Sequence, residues 1–225
     1  MNGSDPIWEQ KYASGHRQRY PWDLVVSFIF RNAPKDGDRS SVAILEVGCG
    51  TAPNLWFAAR EGFQVAGIDS SASAVAAARA SFAEEGLKGD IRVADFTALP
   101  FEDATFDLAV DRSAITCVGR SAARRAIAEV RRVLKPGGKF LFNPYGDSHS
   151  SAAAGRPGPD GLTLDIDAGT LVGAGAICFY GRGDILDVFG EGWAIEAMER
   201  CEIVEERASP SLRYADWRVV AKKLD

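Results

Sequence analysis

The sequence predicts an α/β fold built on a doubly wound, mostly parallel sheet. Three observations carry that prediction: short apolar runs that end in an acid or a glycine turn, helical patterns that alternate with them, and a final helix followed by two long strand patterns. The 225 residues, 46% of them hydrophobic, suffice for one α/β domain with additions, and neither a linker nor an internal repeat divides them.

Asp5 is placed to cap a first helix with Pro6 at its first position; Ile7, Trp8 and Tyr12 share one face, and Gly15 stops it. The connector Gly15-His16-Arg17-Gln18-Arg19-Tyr20 is polar, cationic and aromatic, suited to an acidic or hydroxylated ligand or simply to solvent, and a second helix starts near Pro21. Ala43-Ile44-Leu45-Glu46-Val47 suits a strand buried on both faces, after which Gly48-Cys49-Gly50-Thr51 lets the backbone bend tightly beside a ligand. Asn54 to Glu61 carries apolar side chains at helical spacing and ends at Gly62. A second buried strand, Gln64 to Ile68, ends on Asp69, 23 residues beyond Glu46. That is near the roughly 20-residue offset at which an acid at a strand tip accepts hydrogen bonds from a ribose. Asp69 is also placed to cap a helix over Ser70 to Glu85, a role compatible with the first. Strand, glycine turn, helix, strand and acid together predict a nucleoside-bearing cofactor.

Two cofactor classes fit. A dinucleotide fingerprint wants glycine or alanine at the third small position, where this chain has Pro53. With Glu46 two residues before Gly48, the turn instead resembles that of the class I S-adenosylmethionine-dependent methyltransferases. Ala52 departs from the family's usual third glycine, and its methyl group is expected to intrude on the cofactor, affecting affinity rather than identity. The resemblance continues in family order. Gly89 to Phe96 is similar to the third strand and Phe106 to Arg112 to the fourth; Ala122 to Leu134 is a basic amphipathic helix, and Lys135-Pro136-Gly137-Gly138-Lys139 turns into the strand Phe140 to Asn143. The likeness spans roughly residues 40 to 145, and the terminal regions resemble bacterial methyltransferases acting on small or carbohydrate-like molecules.

The resemblance implies a Rossmann-like seven-stranded sheet closed by an antiparallel C-terminal hairpin. A helix over Gly183 to Phe189, strands over Trp193 to Ile203 and Ala215 to Ala221, and a turn at Ser209-Pro210-Ser211 suit that ending, which a dehydrogenase would not predict. One domain is expected, with a helical lid over 1–34, a cofactor-binding core over 41–143, a substrate-side insertion over 144–181, and a helix with a β-hairpin over 182–225. The resemblance makes S-adenosyl-L-methionine the cofactor and S-adenosyl-L-homocysteine the product, with no metal required. It assigns Glu46 to the loop and the methionine end, Gly48, Cys49 and Gly50 to admitting the cofactor, Asp69 and Ser70 to the ribose, and Asp95 and Phe96 to adenine. Asp111 at the reactive end, with Trp8 and Tyr20 from the lid, completes the expected cofactor contacts.

For catalysis, the stretch from Pro144 to about Gly175 reads as a long irregular loop, and Asn143, Tyr145 and His149 emerge beyond the strand ends where an acceptor would sit. His149 is the candidate general base, with an unperturbed pKa of roughly 6.5; the alternative is an exposed loop histidine. Asp111 and Arg112 either line the reaction site or pair with neighbours to hold their loop. A small-molecule acceptor is expected, a sugar or metabolite hydroxyl first. The rival readings are a catalytically silent cofactor-binding protein, which Ala52 leaves open, a protein acceptor, and an NAD(P)-dependent oxidoreductase, which Pro53 and the terminal hairpin oppose.

Composition narrows the partners. With 26 Lys and Arg against 31 Asp and Glu, the formal charge of −5 opposes a nucleic-acid backbone as the main partner. The apolar stretches Leu24 to Phe30 and Leu171 to Tyr180 are too short to span a bilayer, and with no signal-peptide pattern at the start a cytoplasmic location is expected. Cys49, Cys117, Cys178 and Cys201 lack any paired spacing and read as reduced thiols.

Overall fold

The computed structural model describes residues 6–35 and 37–225. Asp5, the expected helix cap, lies outside the described residues.

The chain begins with two helices, α1 (Ile7–Ala13) and α2 (Asp23–Asn32), and then alternates β1 (Ala43–Val47), α3 (Pro53–Arg60), β2 (Gln64–Asp69), α4 (Ala72–Glu84), β3 (Asp90–Val93) and β4 (Phe106–Arg112). There follow α5 (Arg120–Val133), β5 (Leu134–Asn143), three short strands β6 (Arg156–Pro157), β7 (Leu162–Leu164) and β8 (Ile177–Cys178), then α6 (Arg182–Phe189), β9 (Trp193–Glu205) and β10 (Leu212–Lys223). Seven strands form one sheet in the order β3-β2-β1-β4-β5-β10-β9. All neighbours are parallel up to β5, while β10 runs antiparallel to both β5 and β9.

This topology follows from the side chains. In β1, Leu45 and Val47 pack into one cluster with α5 and α6, while Ile44 packs into another with α2, α3 and α4. Successive residues of a strand point to opposite faces, so a near-continuous apolar run must be covered on both sides. Each of these fully buried aliphatic side chains stabilises the fold by about 1.5–3 kcal/mol through burial. The lysine-proline-glycine-glycine turn sits inside the β4–β5 pairing. Phe106 pairs with Leu134 and Leu108 with Lys139, so residues 135–138 bulge out, with Gly137 at φ +76°. Lys135 Nζ holds both carboxylate oxygens of Asp107, at 2.9 and 2.8 Å.

Two expectations are corrected. The stretch after Pro144 is not a bare loop: β6, β7 and β8 form a small antiparallel sheet over a separate cluster of Ile166, Leu171, Ala174, Ile177 and Phe179. Strands of two or three residues show no readable alternation, which is why their sequence resembles a loop. The cap of α4 is Ser71, whose Oγ accepts from the Ala74 N–H at 3.0 Å, and not Asp69.

Candidate active site

In a doubly wound sheet the strand order reverses at one point, and loops leaving the carboxyl ends there diverge to open a crevice. Here β1 and β4 lie side by side at that point. The crevice is a cavity of about 120 Å³ lined by Gly48 after β1, Asp69 and Ser70 at the end of β2, Phe96 after β3, and Arg112, Ser113, Ala114, Cys117 and Val118 from β4 onward. Trp8 and Tyr12 of α1 close its outer side.

The glycine turn is built for close approach. Gly48 and Gly50 adopt φ of +66° and +55°, and a Cβ on Gly48 would overlap the Ala114 methyl while one on Gly50 would overlap the Tyr12 hydroxyl. The Gly50 N–H donates to Asp69 Oδ2 at 2.8 Å and the Ser71 N–H to Asp69 Oδ1 at 2.8 Å. Burial outweighs both bonds and raises the Asp69 carboxyl above its usual range. A carboxylate accepts about four hydrogen bonds, so two lone-pair positions remain for a vicinal diol such as a ribose. Below the turn, Glu46 Oε1 accepts from Asn54 Nδ2 at 2.7 Å, while Oε2 is buried without a partner. Burial pushes the Glu46 carboxyl up to about 8, with the charges of Asp111 and Asp69 adding to it and the Asn54 bond opposing. An orphaned buried carboxylate oxygen suits a cationic ligand.

Comparison with known proteins agrees with this geometry. Residues 44–138 match the family model described as a methyltransferase domain. They carry the strand, glycine turn and terminal acids just described. This segment is similar to the methyltransferase domain of S-adenosylmethionine-dependent enzymes. Over 108 residues the chain is 37% identical to a malonyl-(acyl-carrier protein) O-methyltransferase of Erwinia pyrifoliae, covering 46% of this chain and 37% of that one. A solved S-adenosylmethionine-dependent methyltransferase of Methanosarcina mazei superposes with a TM-score of 0.71 at 24% identity over 87% of this chain and 97% of that one. The cyclase SpnF shares the fold with a TM-score of 0.64 at 21% identity over 97% and 92% of the two chains. The matched segments span 30–47% of the curated relatives' length. The diol acceptor at Asp69, the glycine cradle and the orphaned Glu46 oxygen fit S-adenosylmethionine, the cofactor in the name of that Methanosarcina relative.

The fold brings Gly48, Asp69, Ser70, Phe96, Arg112 and Trp8 together around the cavity. Several other expected residues lie elsewhere. Cys49 turns its side chain under the loop, packed beside Gly67 with its sulfur over the Gly50 carbonyl at 3.8 Å, so only its backbone faces the turn. The Asp95 carboxylate accepts from the N–H and hydroxyl of Thr97, both at 2.8 Å, ordering the loop that presents Phe96. Tyr20 is 68% exposed and away from the cavity, because its connector is tied down by the Thr51 hydroxyl donating to the Gln18 carbonyl at 2.7 Å. Arg17 in that connector donates to the carbonyls of Tyr12 and His16.

Ala52 does not crowd the cavity. Its methyl is fully buried in the cluster with α2, α3 and α4, and the departure from glycine is felt in the backbone, which turns left-handed at φ +58° just before α3.

Asp111 and Arg112 separate in role. Asp111 is fully buried; its Oδ1 accepts from the Ala114 and Ile115 N–H groups at 3.0 and 2.8 Å, holding the turn after β4, while Oδ2 has no partner. Burial raises its carboxyl to about 6 against those two bonds. Arg112 faces the cavity.

His149 is neither an exposed loop residue nor a group on the cavity wall. Its Nδ1 accepts from the Ser151 N–H at 3.0 Å, Nε2 lies 3.3 Å from the Thr170 hydroxyl, and Tyr145, Phe179 and Tyr214 surround the ring. Burial lowers its pKa to about 4. Both nitrogens are engaged inside the insertion, and neither lines the cavity where the expected general base would act. Asn143 is also turned away, its amide donating to the Trp217 carbonyl at 2.6 Å to join β5 to β10. The sequence reading missed Tyr12 as a wall residue, since a tyrosine on an amphipathic face gives the same signal whether it packs on a core or on a glycine turn.

Proposed function

We propose that the chain is an S-adenosylmethionine-dependent methyltransferase that moves a methyl group to a small-molecule acceptor. The observation that carries this reading is the Asp69 carboxylate, tied to Gly50 and Ser71 at the switch point and left with acceptor capacity facing the cavity. Bound there, S-adenosylmethionine supplies a methyl group already activated by its sulfonium. The protein's share is positioning. Asp69 holds the ribose hydroxyls, the Phe96 ring covers the adenine, and Glu46 with the turn receives the methionine end. Trp8 and Tyr12 of α1 exclude water from the reacting atoms, which is the sense in which residues 1–34 act as a lid. An acceptor held in line at near-attack distance needs little further chemistry from side chains. The insertion over 144–181, whose apolar cluster packs against Trp8, would shape the acceptor's site.

The test is release of S-adenosylhomocysteine by the purified protein against a panel of hydroxylated and carboxylated metabolites. Acceptor-dependent release supports the proposal. Cofactor binding without release on any acceptor would favour the cofactor-binding reading, in keeping with a fold that the cyclase SpnF shares.

A further inference from the structure

Arg112 is the cation of the cavity wall, and its direct contacts are uncharged. One face of the guanidinium lies over the Trp22 ring, 4.0 Å from the centroid. Nη2 donates to the Tyr214 hydroxyl at 3.1 Å, Nη1 donates to the Ser113 hydroxyl, and the Tyr145 hydroxyl lies within its reach. Among the described residues no carboxylate stands within ion-pair distance of it. Asp111 and Asp216 act on it through their charge without pairing with it: Asp111 Oδ1 bonds its own turn, and Asp216 lies 3.6 Å from Arg218. Arginine stays charged at any physiological pH and carries five N–H donors, more than these hydroxyls use. A half-buried guanidinium held rigidly by an indole face and hydroxyls, with donors left over at a cavity, is arranged to meet an anion.

We propose that Arg112 is a specificity residue that binds an anionic oxygen group of the methyl acceptor, a carboxylate or a phosphate. The inference rests on the reading of the cavity as a cofactor site and deepens it. A sulfonium cofactor beside a guanidinium that makes no ion pair is a like-charge pair, and an acceptor anion placed between them lowers the repulsion. The walls next to Arg112 are aromatic, from Trp8, Phe96 and Trp22, so an acid on an apolar or aromatic body fits better than a bare ion.

The test uses the protein saturated with S-adenosylhomocysteine and titrated with benzoate, phenyl phosphate and the neutral benzamide at constant ionic strength, read by calorimetry. The expected result is binding of at least one of the two anions, no binding of benzamide, and about a tenfold or greater loss of anion affinity in Arg112→Gln, as for a lost hydrogen bond to a charged group. Arg112→Lys recovers part of that loss, which separates a charge role from a folding defect. Which anion binds distinguishes carboxylate from phosphate. Equal binding of acid and amide, no anion binding, or retained anion binding in Arg112→Gln overturns the proposal. So does a variant that weakens S-adenosylhomocysteine but not methylthioadenosine, since Arg112 would then serve the cofactor's own carboxylate. Failure of wild-type protein to bind S-adenosylhomocysteine would instead overturn the cofactor reading.

Discussion

Glu46 shows how one buried side chain ties stability to ligand chemistry. Its carboxyl titrates near 8 in the fold because burial disfavours the charged form. In the unfolded chain it titrates near its ordinary value of about 4.3. A raised acid pKa means that the folded state binds the proton more tightly, so its stabilising effect is complete below the unfolded value and is lost as pH rises through the folded one. The ligand-free protein is therefore expected to lose melting temperature between pH 6.5 and 8.5, above the window of Asp111, and Glu46→Gln to flatten that loss. An unchanged slope in the variant would remove Glu46 as its source. Ala52 shows a different balance. A left-handed alanine costs about 1–2 kcal/mol. Replacement by glycine would forfeit a buried methyl worth about 0.8 kcal/mol and add about 0.4–1 kcal/mol of chain entropy to the unfolded state, so the departure from glycine is nearly neutral. Gly48, Gly50 and Asp69 were legible because their work depends on local spacing. The cluster at Arg112 was not, since Tyr145 and Tyr214 reach it only through the pairing of β4, β5 and β10.

Among the α-helices, α1 has the least support of its own, with seven residues and none of them fully buried. It is held by Glu9, whose Oε1 accepts from the Ser73 hydroxyl at 2.6 Å and whose Oε2 accepts from the Ser71 hydroxyl at 2.5 Å and the Ser73 N–H at 3.3 Å. An acid at the start of α4 also meets the positive end of that helix's dipole. These bonds hold the Glu9 carboxyl below its usual range, so the latch is complete above the ordinary carboxylate pKa and loosens as pH falls through the depressed one. Glu9→Ala is expected to speed dissociation of S-adenosylhomocysteine several-fold, measured by stopped flow, with little change in melting temperature. An unaltered dissociation rate would mean that α1 does not gate the cavity. The amphipathic face of this helix was readable in sequence, but the latch joins residues 62 and 64 positions apart. The reverse holds for the C-terminal hairpin, whose long strands announce themselves, while β6 to β8 are too short to do so.

At the level of the whole molecule, the order β3-β2-β1-β4-β5-β10-β9 places one crevice at the β1–β4 reversal and aims the tips of β1, β2 and β4 into it. That order was legible because each strand carries its own signal: continuous apolar runs for the buried parallel strands, and a helix followed by two long patterns for the antiparallel edge. What the insertion does with His149 was not legible, because its burial depends on Phe179 and Tyr214, which approach from other parts of the chain. The central claim is that this crevice is a site for S-adenosylmethionine. Its most direct test is calorimetric titration of the protein and of Asp69→Asn with S-adenosylmethionine and S-adenosylhomocysteine, with NADH and NADPH in parallel. The account predicts one site per chain for the sulfur nucleosides, no binding of the nicotinamides, and a loss of about 1.5–3 kcal/mol in the variant, as for a hydrogen bond to a charged group. Nicotinamide binding, or sulfur-nucleoside affinity untouched by Asp69→Asn, would contradict it.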